Sequence, residues 1–373
     1  MSERVFFIGA GKVGATIGHL LADSAFCTEV LFGDVRAPEG QSTWRKARFV
    51  PLDATDGVAL RAFAGECQAV LSASPYFLNK AIAGACAAAR VAYFDLTEDV
   101  ETTKHVQALA ARDGATTFMP QCGLAPGAIN VIGGAVARQF AEVRSLEMRV
   151  GALPLSASNQ MKYYLSWSTA GLINEYCQPG EVLYAGKPAA CLPLDGLERL
   201  TIDGTEYEAF NTSGGVATMC ETFAGKVREL NYKTLRYPGH RDLMKFLLFD
   251  LQLSQRRELL TQIFDQEVPL TFDDVVVVYV NAVGRDHEHR LVQHSYIKKI
   301  YSAEILGRRL SAIQLSTAAG AVAMLELHAR RRLAPGFVTQ ESVPLAEFLA
   351  TKWGGRVYAP GGEAESRARM QSA

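Results

Sequence analysis

Val5-Phe6-Phe7-Ile8-Gly9-Ala10-Gly11-Lys12-Val13-Gly14 is the stretch that decides the fold. Four consecutive apolar residues bounded by glycine read as a buried strand. Beyond Gly14, apolar residues recur at Ile17, Leu20 and Leu21, the spacing of one helical face, with Val13 on the same run. A strand, a glycine turn and a helix in direct succession give each glycine a separate task. Gly9 permits the tight turn, Gly11 lets the backbone approach a pyrophosphate, and Gly14 lets the helix pack closely, with its positive N-terminus beneath the phosphates. Gly9, Gly11, Lys12, Val13 and Gly14 are therefore the predicted cofactor contacts.

The next apolar run, Val30 to Phe32, ends in Gly33-Asp34, and Asp34 lies twenty positions after Gly14. That is where a carboxylate accepting from a ribose 2′-hydroxyl belongs. Asp34 would repel a 2′-phosphate, which points to NAD, while nearby Arg36 leaves NADP possible. Short apolar runs continue at Ala47 to Val50, Ala69 to Ala73, Ala92 to Leu96 and Thr116 to Met119, separated by Ala-rich helical stretches. This alternation predicts an α/β fold, a Rossmann doubly wound parallel sheet over residues 1–125. Ser74 and Pro75 follow the fourth strand at its carboxyl end, where ligands of such sheets sit. Asp53, in Leu-Asp-Ala-Thr-Asp, either faces the adenine or caps the following helix.

A chain of 373 residues exceeds what one core organises, so a second domain is expected. From Gly123 the texture changes to Gly- and Pro-rich sequence and then to longer β-branched segments, including Val143 to Val150 and Val275 to Val283. The reading is an inserted α+β substrate-binding and dimerisation domain over 126–314, with a hairpin turning at Gly284 to Arg290. An Ala-rich helical pattern from Leu315 to Leu333 has an apolar face suited to packing back on the first domain, so 315–353 is expected to complete it. Residues 354–373 read as a frayed tail.

The charge balance excludes whole classes of partner. A net charge of −1 leaves no basic footprint for nucleic acid or an anionic membrane. No apolar run approaches the length of a membrane span. Seven scattered cysteines without a CxxC pair suggest a reducing compartment, and the chain enters a strand at Arg4 without a charged leader, so a cytoplasmic location is expected. His287 and His289 fall in the hairpin turn with no third ligand at useful spacing, so no metal is expected.

Gln121-Cys122-Gly123-Leu124-Ala125-Pro126-Gly127 resembles a segment of the saccharopine dehydrogenase and lysine 6-dehydrogenase family. Trp167 to Tyr176, Glu208-Ala209-Phe210 and Thr234 to His240 resemble further stretches of that family in the same order. The resemblance implies an NAD-dependent oxidoreductase of lysine degradation acting on the carbon–nitrogen bond at the lysine ε-nitrogen. It implies either saccharopine dehydrogenase chemistry, releasing aminoadipate semialdehyde and glutamate, or oxidative deamination of free lysine. It also implies an amino-acid substrate and a homodimer. Together with strand-end placement it marks Tyr76, Asp95 and Cys122 as catalytic candidates, and Arg236, His240 and Lys162 as substrate-binding cations. The cluster Lys233, Arg236, His240, Arg241 and Lys245 leans toward the more anionic substrate, saccharopine. A reading from another class is a non-catalytic NAD-binding sensor, since a Rossmann domain certifies binding rather than turnover.

Overall fold

A computed structural model describes residues 3–37 and 46–361. The chain divides into two compact units, one made of Met1–Val131 with Gln314–Ala359 and the other containing Ile132–Ile313.

In the first unit the six predicted apolar runs all become strands: β1 (Glu3–Ile8), β2 (Cys27–Asp34), β3 (Ala47–Pro51), β4 (Ala69–Ser72), β5 (Ala92–Asp95) and β6 (Thr117–Met119). They join a short strand, Gly336–Phe337, in a seven-stranded sheet ordered Gly336–Phe337, β6, β5, β4, β1, β2, β3, and every pairing is parallel. Between them run α1 (Lys12–Ala22), α2 (Gly57–Gly65), α3 (Tyr76–Ala89) and α4 (Val100–Asp113). Two of these helices start on acceptor side chains: Asp56 takes the N–H groups of Val58 and Ala59, and Asp99 takes that of Thr102. One sheet face packs Phe6, Leu31, Val70, Tyr93 and Phe118 against α2, α3 and α4. Phe7 and Phe32, alternate residues of the same strands, point the other way and stack at 5.2 Å.

The returning segment forms a helix, Ala312–Ala329, and it differs from expectation in one respect. Leu315, Ala318, Ala319, Ala321, Val322, Ala323, Leu325 and Leu327 are all fully buried, so the helix is covered nearly all round rather than along one apolar stripe. At Gly320 a Cβ would sit 2.4 Å from the Gly123 carbonyl oxygen, so only glycine allows this helix to approach the 123–127 loop. That loop is itself tight, since Gly127 has φ +135° and a Cβ there would meet Gly123 O at 2.0 Å. Fraying does not begin at residue 354. Lys352–Tyr358 is a helix whose Trp353, Val357 and Tyr358 are fully buried, with Trp353 Nε1 donating to Ser24 Oγ and Tyr358 Oη to Ser316 O. Residues 362–373 lie outside the described residues.

The second unit opens with α5 (Ala128–Ala137), which starts in the first, and β7 (Glu142–Pro154). There follow β8 (Gly180–Tyr184), β9 (Lys187–Cys191), β10 (Glu198–Ile202), β11 (Thr205–Asn211), β12 (Val227–Arg236), β13 (Asp274–Arg285) and β14 (Leu291–Tyr301). The main sheet runs β10-β11-β12-β7-β13-β14, antiparallel except for β12 against β7, with the β8–β9 hairpin attached to β12. β13 and β14 form the predicted hairpin, pairing from Val275–Tyr301 to Arg285–Leu291. The sheet curls strongly. Glu198 on β10 reaches Arg149 on β7 and Lys233 on β12, and Lys299 on β14 reaches the Ile202 carbonyl and Asp203 at the end of β10.

Asp95 closes the first unit at its centre. It is fully buried at the end of β5, and its Oδ1 accepts from the backbone N–H groups of Thr97 at 3.0 Å and Gln121 at 2.9 Å, while Oδ2 accepts from Tyr93 Oη at 2.7 Å. Burial outweighs these three bonds and raises the carboxyl to about 6. A folded pKa above the unfolded one makes this group's contribution largest below the unfolded value, and that contribution is lost as pH rises through about 6. From pH 4 to pH 7 the unfolding free energy of the parent protein should therefore fall relative to Asp95→Asn by on the order of 2–3 kcal/mol, read from paired denaturant titrations. A constant difference across that range would refute the raised pKa. Replacing Trp353 by alanine should cost about 3–5 kcal/mol of first-unit stability, and a loss below 1 kcal/mol would mean the terminal helix does not belong to that core.

Candidate functional site

The glycine loop has the form the sequence requires. Gly9 has φ +106° and lies so close to β4 that a Cβ would meet Ala73 O at 2.8 Å, while a Cβ on Gly14 would stand 2.1 Å from Gly9 O. Among the described residues a Cβ at Gly11 would meet nothing within 4 Å, and no side chain caps the N-terminus of α1. The loop thus combines an open backbone approach with uncapped N–H groups, the arrangement that suits a pyrophosphate. Lys12 is exposed and Val13 half-buried at the same helix start.

Asp34 lies beside this loop. Its Oδ2 accepts from the Ala10 N–H at 2.6 Å, and its Oδ1 from the Arg36 backbone N–H at 3.2 Å. A carboxylate accepts at about four lone-pair positions, so capacity is left for a ribose hydroxyl. Asp53 instead makes a local turn, its Oδ1 accepting from both the N–H and the hydroxyl of Thr55, and those bonds hold its carboxyl below the usual range. The helix cap considered for Asp53 belongs to Asp56. Ser74 is half-buried, with its N–H directed to Ser72 Oγ, and Pro75 precedes the first residue of α3, Tyr76. Tyr76 is 58% exposed, against Phe77 edge-on.

Two of the catalytic candidates, Asp95 and Cys122, lie fully buried. Asp95 is fully buried and its oxygens accept from Tyr93, Thr97 and Gln121, so it joins the ends of neighbouring strands. Cys122 is also fully buried, its thiol donating to Met119 O at 3.0 Å and receiving Gln340 Nε2 at 3.2 Å. Burial raises that thiol far above the ordinary value and keeps it protonated. Tyr93 lies two positions before Asp95 on β5, on the same face of the strand, whereas Gln340 reaches Cys122 from a segment remote in the chain and carries no local sequence signal.

Two of the cationic candidates, Arg236 and His240, are likewise buried. Arg236 is buried among aromatic rings, its guanidinium carbon 5.2 Å from the Tyr163 ring centroid and 5.7 Å from that of Tyr176. His240 is fully buried: Nδ1 faces the Met161 carbonyl at 2.9 Å and Nε2 the Tyr176 hydroxyl at 3.1 Å. Burial, reinforced by Arg236, pushes its pKa down to about 3, so it is neutral and offers no charge to a carboxylate. Lys233 pairs with Glu198, Lys245 with Asp195, and Arg241 with Asp242 and the Leu194 carbonyl. Lys233, Arg241 and Lys245 are thus engaged within their own unit, whereas among the described residues Arg236 Nε is buried without a hydrogen-bond partner. Lys162 alone of the three expected substrate cations is exposed, donating to Pro238 O at 3.1 Å from a backbone at φ +49°.

The family-like stretches of the second unit meet in one cluster. Glu208 accepts from the N–H groups of Gly239 and Arg241, fixing the Tyr237-Pro238-Gly239-His240 turn, while Tyr176 from the Trp167–Tyr176 stretch meets both Arg236 and His240. Phe210 stacks on the His240 ring.

Comparison with known proteins agrees with this architecture. The protein-family model described as the saccharopine dehydrogenase NADP binding domain matches residues 5–119, and that described as the saccharopine dehydrogenase C-terminal domain matches residues 123–351. Mouse mitochondrial alpha-aminoadipic semialdehyde synthase is 26% identical over 195 residues, which is 50% of this chain and 21% of that protein. Among solved structures, apo saccharopine dehydrogenase (L-Glu forming) from Saccharomyces cerevisiae superposes with a TM-score of 0.75 at 14% identity, covering 93% of this chain and 95% of that one. The homospermidine synthase of Legionella pneumophila, solved with NAD, gives 0.72 at 13% identity over 97% and 91%. At such identities the structures speak for the fold, and the two family models speak for descent: the chain belongs to the saccharopine dehydrogenase family of oxidoreductases.

Proposed function

We propose that the chain is an NAD-dependent oxidoreductase of the saccharopine dehydrogenase type, converting saccharopine, NAD and water to aminoadipate semialdehyde, glutamate and NADH. The reading is carried by a family match that runs through both parts of the chain, together with an acidic residue, Asp34, beside the glycine loop. When bound, the dinucleotide supplies the hydride acceptor. Gly11 and the start of α1 receive its phosphates, and Asp34 accepts from the ribose 2′-hydroxyl while repelling a 2′-phosphate.

Hydride leaves a carbon attached to nitrogen only when that nitrogen has a lone pair, so an amine with a pKa near 10 must first lose its proton. Asp95 and Cys122 are fully buried. Tyr76, exposed at the head of α3 directly after Ser74-Pro75, is the remaining candidate for moving or positioning it.

Purified protein with NAD and saccharopine should produce the 340 nm band of NADH and release glutamate. Turnover of lysine with ammonia release instead would transfer the assignment to lysine 6-dehydrogenase, and NAD binding without turnover of either would favour the non-catalytic reading. Replacing Asp34 by serine should lower the ratio of kcat/KM for NAD over NADP about tenfold, on the order of 1.4 kcal/mol. An unchanged ratio would remove Asp34 from cofactor selection.

A further inference from the structure

Residues 240–267 of the second unit form two helices joined by a short connection. His240–Lys245 runs directly into a π turn, Phe246–Asp250, closed by the Leu251 N–H donating to the Phe246 carbonyl at 3.0 Å, and Arg257–Glu267 follows. Turns of that width are rare and recur at functional positions. Met244 and Leu248 of the first helix and Leu260 and Phe264 of the second are buried in one core cluster, with Leu253 of the connection packed against it. Seated on the same core and linked by so few residues, the two helices are neighbours.

Their outer sides are apolar as well. Leu243, Phe246 and Phe249 follow one another at three-residue steps, Leu251 ends that run, and Leu259 and Ile263 stand four residues apart, the spacings of a single helix face. Each of the six is between 36% and 51% exposed. At roughly 200 Å² per large side chain, they leave on the order of 500 Å² of apolar surface in water. The largest apolar patch of a typical monomer is about 300–600 Å² and often functional. A standard interface takes about 800 Å² from each partner, somewhat more than half of it apolar. The two helices therefore supply the apolar share of one side of such an interface.

The rim selects the partner. Asp242 and Asp250 border the first stripe, Arg256 and Arg257 open the second helix, and Glu258 and Glu267 flank it, all of them exposed. A rim that leans acidic repels an anionic lipid surface. A face carrying apolar stripes and charges of both signs is complementary to itself. About a twofold axis, the aspartates of the first helix in one copy meet the arginines opening the second helix in the other, and the contact closes on two chains. We propose that the face formed by residues 240–250 and 257–267 is a twofold interface between two copies of this chain. It is defined within the second unit and holds whichever substrate the chain oxidises.

Sedimentation velocity of the full chain at rising concentration tests it. A species of twice the 40.5 kDa chain mass should appear, and Phe246→Glu and Ile263→Glu should each raise its dissociation constant at least tenfold. Tyr184→Glu, at the exposed end of β8, should leave it unchanged. The melting temperature of each variant reports folding. Should the glutamate variants fail to fold, hydrogen exchange of the parent chain at low and high concentration reads the same face: amides of residues 243–263 should exchange more slowly as the dimer forms. A monomer at every concentration would overturn the proposal, as would a dimer that both variants retain, or protection confined to other segments. Flotation with phosphatidylserine-containing vesicles that Phe246→Glu abolishes, in a chain that stays monomeric, would overturn it in favour of a lipid surface.

Discussion

The close approach of Gly14 to Gly9 is the constraint on which the first unit depends. With 2.1 Å between a would-be Cβ and the Gly9 carbonyl oxygen, only glycine lets α1 start directly beneath the end of β1. That position brings the Ala10 N–H within 2.6 Å of the Asp34 carboxylate and leaves the Gly11 backbone open. The reading of a dinucleotide begins in this local crowding, written in ten consecutive residues, and Asp34 adds to it from the end of the next strand.

The remainder of the molecule shows what a linear pattern carries and what it does not. Strand and turn periodicity located six strands of the parallel sheet and the β13–β14 hairpin, because burial on both sheet faces, or tight pairing through a polar turn, imprints itself on neighbouring residues. The helix Ala312–Ala329 was visible as a helix, but its burial on nearly all sides was not, since alanine reads the same on a half-covered as on a covered helix. The strand Gly336–Phe337 carries no signal in so short a run. The placement of Trp353 in the core was hidden by the glycines that follow it.

Charge was the least legible property. A positive side chain beside a proline-glycine turn looks like a ligand in a sequence, yet Arg236, Arg241, Lys233 and Lys245 are all engaged by rings, carboxylates or carbonyls of their own unit. His240 is not even charged, because desolvation removes its proton. A buried ionisable group must be paired, caged or neutralised. The number of cations in a segment therefore sets an upper limit on its capacity to bind anions, and the fold decides how much of that capacity is spent.

The chain visits the first unit twice, at Met1–Val131 and again at Gln314–Ala359. During synthesis the glycine loop and six parallel strands leave the ribosome long before the segment carrying the buried helix, the seventh strand and Trp353. For the time needed to make some 180 residues, at about 5–20 residues per second, the nucleotide-binding sheet stands with the edge of β6 unpaired and part of one face uncovered. The intervening unit, by contrast, is continuous in sequence and is finished first. Order of completion thus runs opposite to order of appearance, and the dinucleotide fold waits on the last described helix for its closure.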